Sequence, residues 1–245
     1  MTSGLSGQRA IVTGAASGIG AAVARMIEAG GGEVVRLDKA ASVDVVVDIA
    51  DRVAVDAAFG EIVAAAPVQI IVHCAAIPSF TDFARTTGEE WAAVMSVNAG
   101  GTFNILQAGL PALASHGYGR VVTVASIAAF FGYRSPSYAA SKAAVVALTK
   151  SAAVAYAASG VTVNCVCPGR VDTPMAPLNS AAEIAERVPV GRAASADEIA
   201  ALICALASPE MAYVTGAAVP CDGGMSSVFA LHGLGPYGPP LLPTT

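Results

Sequence analysis

Three residues near the middle of the chain, Ser126, Tyr138 and Lys142, have types and spacing that suit proton transfer. Tyr138 and Lys142 lie four residues apart, so they share one face of any helix that contains both. A phenol titrates near pH ~10, and we expect the neighbouring ammonium to lower the pKa of Tyr138 toward neutrality. Tyr138 would then be a general acid or base at a substrate oxygen, with Ser126 hydrogen-bonded to the same oxygen.

A glycine-rich segment, TGAASGIG at 13–20, separates the first predicted strand from the first predicted helix. Glycine lets the backbone turn tightly and approach a pyrophosphate, and the N-terminus of the following helix attracts the anion. The segment lacks the Gly-Lys-Ser/Thr ending of a nucleoside triphosphate site. It therefore predicts a site for a dinucleotide cofactor.

Asp38 ends the second predicted strand, 18 residues after Gly20. A carboxylate at this place accepts hydrogen bonds from the adenine-ribose hydroxyls and repels a 2′-phosphate. No lysine or arginine lies at 15–17 to hold such a phosphate, although Lys39 is adjacent to Asp38. The sequence therefore favours NAD over NADP, with loop capping as the alternative role of Asp38.

Short runs rich in β-branched residues alternate with longer alanine-rich runs along the chain. The predicted strands cover 9–13, 33–37, 43–47, 69–74, 120–125, 162–166 and 217–220. The predicted helices cover 19–29, 51–65, 88–114, 137–158, 181–187 and 196–206. This alternation predicts an α/β fold with a parallel sheet covered on both faces. The link 37–43 is too short for a helical crossover, so either it is a tight loop or one strand is wrongly predicted.

The composition narrows the classes of function. Charged residues make up 13% of the chain, against about 25% in an average protein, which indicates deep burial and subunit contacts. The net charge of −5 and the lack of a basic stripe argue against a nucleic-acid partner. Without a long apolar run or a signal-like start, we expect no membrane segment and no export. The five scattered cysteines are predicted to be free thiols of a cytoplasmic protein, and no metal site is predicted.

Taken together, these segments resemble the short-chain dehydrogenase/reductase family over nearly the whole chain. The matching motifs are TGAASGIG at 13–20, VNAGGTF at 97–103, YAASK at 138–142 and CPGRVDTPM at 167–175. The resemblance implies one Rossmann-type, doubly wound α/β domain over 1–225, with a mainly seven-stranded parallel sheet in the order 3-2-1-4-5-6-7. The proline- and glycine-rich residues 226–245 are predicted to form an extended tail.

The resemblance also implies a role for each site residue. Tyr138 would transfer the proton, and Ser126 would orient the substrate oxygen. Lys142 would hold the nicotinamide ribose and lower the pKa of Tyr138, and Asn98 would fix a water that links Lys142 to solvent. The residues expected to contact NAD are Gly14, Ser17, Gly18, Ile19, Gly20, Asp38, Asp48, Ile49, Cys74, Ala75, Ala76, Tyr138, Lys142, Pro168, Gly169, Val171 and Thr173.

One motif departs from the family. The family usually has Asn-Asn-Ala-Gly after the fourth strand, where this chain has His73-Cys74-Ala75-Ala76. Small residues are kept where the cofactor passes, but both asparagines are lost. His73 is either an additional catalytic base or, as we expect, a strand-end residue whose ring is hydrogen-bonded to the backbone.

The segments expected to surround the substrate are 77–83, 127–135 and the residues after Thr173. They contain few charges, with Arg134 and Arg170 as exceptions, and many aromatic and aliphatic side chains. Such walls favour a small apolar or alicyclic alcohol or ketone. The alternative is that most of these aromatics are ordinary core or interface residues.

The resemblance implies a homotetramer, and we hypothesise that the apolar tail crosses to a neighbouring subunit. Three other kinds of protein remain open. The first is an NAD-binding regulatory module without turnover, which would not need Tyr138 and Lys142. The second is a sugar-nucleotide epimerase or dehydratase, which generally needs a larger C-terminal domain. The third is a structural scaffold, which only the tail supports.

Overall fold

Runs of β-branched residues form a parallel sheet at the centre of the fold. The computed structural model describes residues 3–175 and 181–227. The seven strands lie in the order β3-β2-β1-β4-β5-β6-β7, and every neighbouring pair is parallel. The strands are β1 (Arg9–Thr13), β2 (Glu33–Asp38), β3 (Val45–Val46), β4 (Ile70–His73), β5 (Gly119–Val124), β6 (Val161–Pro168) and β7 (Ala218–Cys221). The predicted α/β fold and its strand order are thereby confirmed.

Helices cover both faces of the sheet. They are α1 (Gly18–Ala29), α2 (Arg52–Ala65), α3 (Gly88–Val94), α4 (Gly101–Ser115), α5 (Pro136–Tyr156), α6 (Ala181–Arg187) and α7 (Ala196–Leu206). Successive residues of a strand point to opposite faces, so each central strand must be apolar on both. In β1, Val12 packs in the core layer under α1 and α7, and Ile11 packs in the layer under α2, α4 and α5. This double burial explains the continuous apolar runs of the central strands.

The second crossover is a loop, which resolves the alternative that the sequence left open. Strand β3 pairs in parallel with β2, and the amide of Val47 donates to the carbonyl of Asp38. No helix lies within the link 39–44, all of which the structure describes. The strand itself is only two residues long, so the predicted strand at 43–47 was too long.

The segment 88–114, predicted as one helix, consists of two α-helices joined by a π-helical turn. Helix α3 ends at Val94, a π-helical turn covers Met95–Gly100, and α4 continues from Gly101. A π-turn inserts one extra residue into a helical turn and so changes which side chains point inward. Asn98 lies in this turn and is buried. Hydrophobic periodicity alone does not reveal such an insertion.

Three parts of the chain, residues 1–2, 176–180 and 228–245, lie outside the described residues. Of the predicted tail 226–245, only Ser226 and Ser227 are described, and they belong to the short 3₁₀ turn Met225–Ser227. The proposed crossing of the tail to a neighbour therefore lies outside the described residues. Within the described ranges, no helix combines the length and the apolar character that a membrane span requires.

A glycine at the start of α4 allows a close helix–loop contact that we expect to be essential for stability. A Cβ on Gly101 would lie 2.6 Å from Cδ1 and 3.3 Å from Cβ of Ile49, which is buried. Gly101→Ala should lower the free energy of unfolding by about 1–3 kcal/mol, because overpacking displaces a buried side chain. Urea unfolding measures this change.

The matched control is Gly60→Ala in the interior of α2, where a Cβ would meet no described atom within 4 Å. This substitution should raise the free energy of unfolding by about 0.5–1 kcal/mol, since alanine favours the helix. If the two variants unfolded at the same urea concentration, the close contact at Gly101 would not contribute to the free energy of unfolding.

Candidate active site

The carboxyl ends of the central strands open onto a cleft of about 380 Å³. Every residue that the sequence assigned to cofactor contact lines it, and Ser126 does so as well. Asn98 is the exception among the predicted site residues, because it lies buried behind the cleft. The cleft residues that were not predicted as site residues are Lys39, Val47, Ile77, Val97, Val124, Ala125, Pro174 and Met175. Of these, Ile77, Pro174 and Met175 belong to the predicted substrate walls.

The glycine turn brings the backbone of β1 against the segment that follows β4. Gly14 has a φ of 68°, and a Cβ on it would lie 2.7 Å from the amide nitrogen of Ala75. A Cβ on Gly20 would lie 2.2 Å from the carbonyl oxygen of Gly14. At the N-cap of α1, the Ser17 side chain makes no capping hydrogen bond to any described residue. The first turn of α1 thus faces the cleft with amides that fit a pyrophosphate.

Three charged residues stand at the end of the cleft where β2 and β3 finish. The Asp38 carboxylate accepts from the amides of Ala16 and Ala40, each at 3.1 Å, so it does cap the loop while it also lines the cleft. Lys39 Nζ lies 2.7 Å from Asp48 Oδ2. The hydrogen bond from Lys39 holds the pKa of Asp48 below its usual value. The one lysine beside Asp38 is therefore already paired with a carboxylate.

Tyr138, Lys142 and Ser126 converge at the other end of the cleft. Helix α5 begins at Pro136, and the Ser135 hydroxyl accepts from the amide of Tyr138 as its N-cap. Lys142 Nζ lies 5.6 Å from the centre of the Tyr138 ring and donates to the Val124 carbonyl at 3.0 Å. The ammonium is thus held between the phenol and the end of β5. This carbonyl is a functional group that the sequence analysis missed, because side-chain types give no sign of it.

The expected effect of Lys142 on Tyr138 is wrong for the chain without a bound cofactor. Burial raises the pKa of Tyr138 to about 12, and a hydrogen bond with the Ser126 hydroxyl opposes that rise. Burial also lowers the pKa of Lys142 itself to about 8. The cost of removing the phenolate from water therefore exceeds the stabilisation of the phenolate by the Ser126 hydroxyl. Sequence spacing gives the proximity of two groups but not their desolvation.

Asn98 binds two segments together behind the cleft. Its Oδ1 accepts from the Ile77 amide at 2.8 Å, and its Nδ2 donates to the Ile77 carbonyl and to Ser141 Oγ, both at 3.0 Å. Ser141 lies in α5 between Tyr138 and Lys142 and is fully buried. Asn98 therefore fixes the segment after β4 against the helix that carries Tyr138 and Lys142. The YAASK motif was the only sign of Ser141 in the sequence.

His73 is held by a side chain, so the expected backbone hydrogen bond is wrong. Its Nδ1 lies 2.7 Å from Thr13 Oγ1, and its Nε2 has no hydrogen-bond partner among the described residues. Burial, followed by the positive charge of Lys142, lowers the pKa of His73 to about 3. The ring is therefore neutral at physiological pH. All five cysteines, including the neighbouring Cys74, are free.

The aromatic residues of the predicted substrate walls are not core residues. Phe80 is 53% exposed and Phe83 is 82% exposed. Phe130 and Phe131 pack edge to face with ring centres 6.4 Å apart. The Tyr133 ring lies 5.8 Å from the ring of Tyr138. The alternative of an ordinary core location is thus excluded for these side chains, and an apolar surface adjoins the phenol.

The chain is similar to known oxidoreductases over most of its length. A family model described as enoyl-(acyl carrier protein) reductase matches residues 14–226. Galactitol 2-dehydrogenase (L-tagatose-forming) from Cereibacter sphaeroides is 37% identical, covering 90% of this chain and 95% of the relative. Cis-4-hydroxycyclohexanecarboxylate dehydrogenase from Sinomonas cyclohexanicum is 36% identical, covering 89% and 96%. A solved structure described as an NAD(P)-dependent gluconate 5-dehydrogenase from Beutenbergia cavernae, with NADP bound, is 31% identical with a TM-score of 0.85, covering 93% and 100%.

The buried ring of His73 should make stability depend on pH. The pKa of His73 is 6.5 in the unfolded chain and lower in the folded chain, so the folded chain binds the proton less tightly. The stability that the neutral ring contributes is therefore fully present above pH 6.5. This contribution is lost as the pH falls from 6.5 toward 3, with a slope of up to about 1.4 kcal/mol per pH unit. His73→Asn should remove that slope in urea unfolding between pH ~4 and ~7.

The control is His116→Asn, whose ring is exposed in the folded chain, and this variant should keep the wild-type slope. Carboxylates titrate in all three proteins, so the difference between the slopes isolates His73. Identical slopes in wild type and His73→Asn would contradict the neutral buried ring.

Proposed function

The chain belongs to the short-chain dehydrogenase/reductase family, and from that premise we propose that it is an NAD-dependent enzyme that interconverts a secondary alcohol and a ketone, with Tyr138 as its general acid/base. One observation carries the proposal. Ser126, Tyr138 and Lys142 line the same cleft as the glycine turn, and the Lys142 ammonium lies 5.6 Å from the Tyr138 ring. Acid/base and cofactor-binding groups therefore meet where a substrate carbon can lie between them.

Each polar group of the site has a distinct task in this proposal. During oxidation the Tyr138 phenolate removes the hydroxyl proton of the substrate, and during reduction the phenol returns it. Ser126 orients the substrate oxygen by a hydrogen bond. Lys142, held by the Val124 carbonyl, keeps a positive charge beside the phenol and binds the nicotinamide ribose. Bound NAD supplies the hydride acceptor, while the protein provides position and electrostatics.

The preference for NAD rests on the charges at the ribose end of the cleft. The Asp38 carboxylate lines the cleft and repels a 2′-phosphate. Lys39, the nearest basic residue in sequence, is paired with Asp48 and does not offset that repulsion. The structural relative from Beutenbergia cavernae has NADP bound, so the preference is a property of these particular residues and not of the fold.

The substrate is proposed to be a small alcohol or ketone with an apolar or alicyclic body. The ring of Tyr133 lies beside the phenol, and Phe130 and Phe131, which precede Tyr133 in the chain, are exposed aromatic side chains. One relative is named for an alicyclic hydroxy acid and another for a polyol, galactitol. Apolar walls favour the first of these two kinds of substrate.

The assembly and the compartment are also proposed. Large apolar side chains on α3, α4 and α5 are exposed in the single chain, namely Trp91, Phe103 and Val154. Exposed apolar faces on neighbouring helices favour association, and we propose a homotetramer. The free state of all five cysteines fits the reducing conditions of the cytoplasm.

Replacing the acid/base tests the proposal against the alternative of a regulatory module. Tyr138→Phe should lower kcat by about 10²–10⁴-fold, because the substrate proton loses its acceptor. The dissociation constant for NAD should stay within about twofold, since only one hydroxyl is removed. NADH absorbance measures turnover with cyclohexanol, cis-4-hydroxycyclohexanecarboxylate and galactitol, and calorimetry measures NAD binding.

The matched control is Tyr118→Phe, because Tyr118 precedes β5 at the end of the sheet away from the cleft. It should keep wild-type turnover. A wild-type protein that binds NAD but oxidises no compound of the panel would support the regulatory module instead.

Asp38 should set the choice between NAD and NADP. Removing its charge by Asp38→Ser should narrow the ratio of kcat/KM for NAD over NADP by about 10²-fold, because like-charge repulsion of the 2′-phosphate costs several kcal/mol. The control is Asp56→Asn, which removes a carboxylate of α2 that pairs with Arg52 and does not line the cleft. An equal ratio in wild type and Asp38→Ser would refute this assignment of the preference.

A further inference from the structure

A chain of hydroxyl groups leads from a carboxylate at the start of α3 to the first turn of α5. Ser79 Oγ donates to Glu90 Oε1 at 2.5 Å and lies 2.6 Å from Ser135 Oγ. Ser137 Oγ lies 3.2 Å from Ser135 Oγ and 3.3 Å from Ser79 Oγ. The three serines are buried. None of these four residues lines the cofactor cleft.

The carboxylate gives this chain a direction. A carboxylate only accepts hydrogen bonds, so the Ser79 hydroxyl donates its single proton to the hydrogen bond with Glu90. Ser79 can therefore only accept a hydrogen bond from Ser135. The Ser135 hydroxyl in turn donates to Ser79, so its lone pairs face away from that bond. Those lone pairs accept from the amide of Tyr138, at 3.4 Å. Every donor in the series thus points from Tyr138 toward Glu90.

The series of hydroxyl groups ends at the first turn of α5, where the helix has the fewest internal hydrogen bonds. The first residues of a helix have amides without a partner inside the helix. Pro136 has no amide proton, and the first helical hydrogen bond runs from the Ala139 amide to the Ser135 carbonyl. The Tyr138 amide therefore depends on the Ser135 hydroxyl. A hydroxyl that is already oriented by Ser79 and Glu90 is a better acceptor than one that rotates freely.

Ser79, the middle member of the series of hydrogen bonds, lies on the segment that flanks the substrate side of the cleft. Ser79 follows Ile77, and Asn98 holds Ile77 by two hydrogen bonds. The segment is thus fixed to α5 at two places, through Ser141 and through Ser135. We propose that Glu90, Ser79 and Ser135 are positioning residues that orient the first turn of α5 and with it Tyr138. The effect on turnover rests on the proposed function, but the effect on the helix does not.

Amide exchange tests the proposal without any substrate. In Ser79→Ala and Glu90→Ala, the exchange rate of the Tyr138 amide should rise about fivefold, since its acceptor loses orientation. Glu90→Gln should stay within about twofold of wild type, because its amide oxygen still accepts from Ser79. The matched control is Glu89→Ala, which removes the exposed neighbouring carboxylate on the same helix turn and should also stay within about twofold. Hydrogen–deuterium exchange of the peptide 137–141 measures these rates, and unchanged rates in both alanine variants would overturn the proposal.

Turnover gives a second, separable test. With NAD and cyclohexanol, or galactitol if wild type oxidises it faster, both alanine variants should lower kcat about tenfold, because a small displacement of Tyr138 weakens proton transfer. The dissociation constant for NAD should not change, and Glu90→Gln should restore kcat to within about twofold. An active enzyme whose kcat is unchanged in both alanine variants would overturn the positioning role. A wild type that oxidises neither alcohol would count against the proposed function alone, and the exchange rates would still decide the positioning.

Discussion

A lysine ammonium buried at the carboxyl end of the sheet is the constraint on which the rest of the site depends. A charge removed from water needs polar neighbours, and the Val124 carbonyl is the nearest of them to Lys142. The layer between the sheet and helices α4 and α5 holds further polar groups where an apolar core would be expected. Its buried polar side chains include Thr13, Asn98, Thr102, Thr123, Ser141 and Thr149. Lys142 of α5 and these buried polar side chains thus share one layer of the core.

Glycines let backbone segments approach each other closely at the strand ends that border the cleft. Gly14 lies against Ala75, and a Cβ on Gly169 would lie 2.8 Å from the side chain of Asp222. Side chains at these places would push apart the segments that border the cleft. The discriminating charges then stand at the rim, where Asp38 faces the cleft and Lys39 is paired with Asp48. In the proposed function, the glycines give the cleft its shape and the carboxylates set the choice of cofactor.

Besides the pKa of Tyr138, three departures from the sequence predictions concern contacts between separate segments of the chain. The π-turn at Met95–Gly100 directs Asn98 toward Ile77 and Ser141, and helical periodicity does not report this. The partner of His73 is Thr13, 60 residues earlier, where a nearby backbone group was expected. Strand β3 is shorter than its apolar run, because only two of its residues pair with β2. In each case a partner elsewhere in the chain decided the outcome.

Local spacing in the sequence determined the type and order of the elements and indicated the glycine turn and the pair Tyr138 and Lys142, while most of the other cleft residues came from the family resemblance. The elements, the turn and the pair follow from periodicity, from glycine in a tight turn and from residues one helical turn apart, all of which act over a few positions. The strand order came from the family resemblance, since periodicity does not specify neighbours. Only the tertiary structure decided the proton affinity of Tyr138, the place of Asn98 behind the cleft and the serine chain that ends at Glu90. Those properties depend on burial and on atoms brought together from distant parts of the chain, and neither is encoded in the spacing of neighbouring residues.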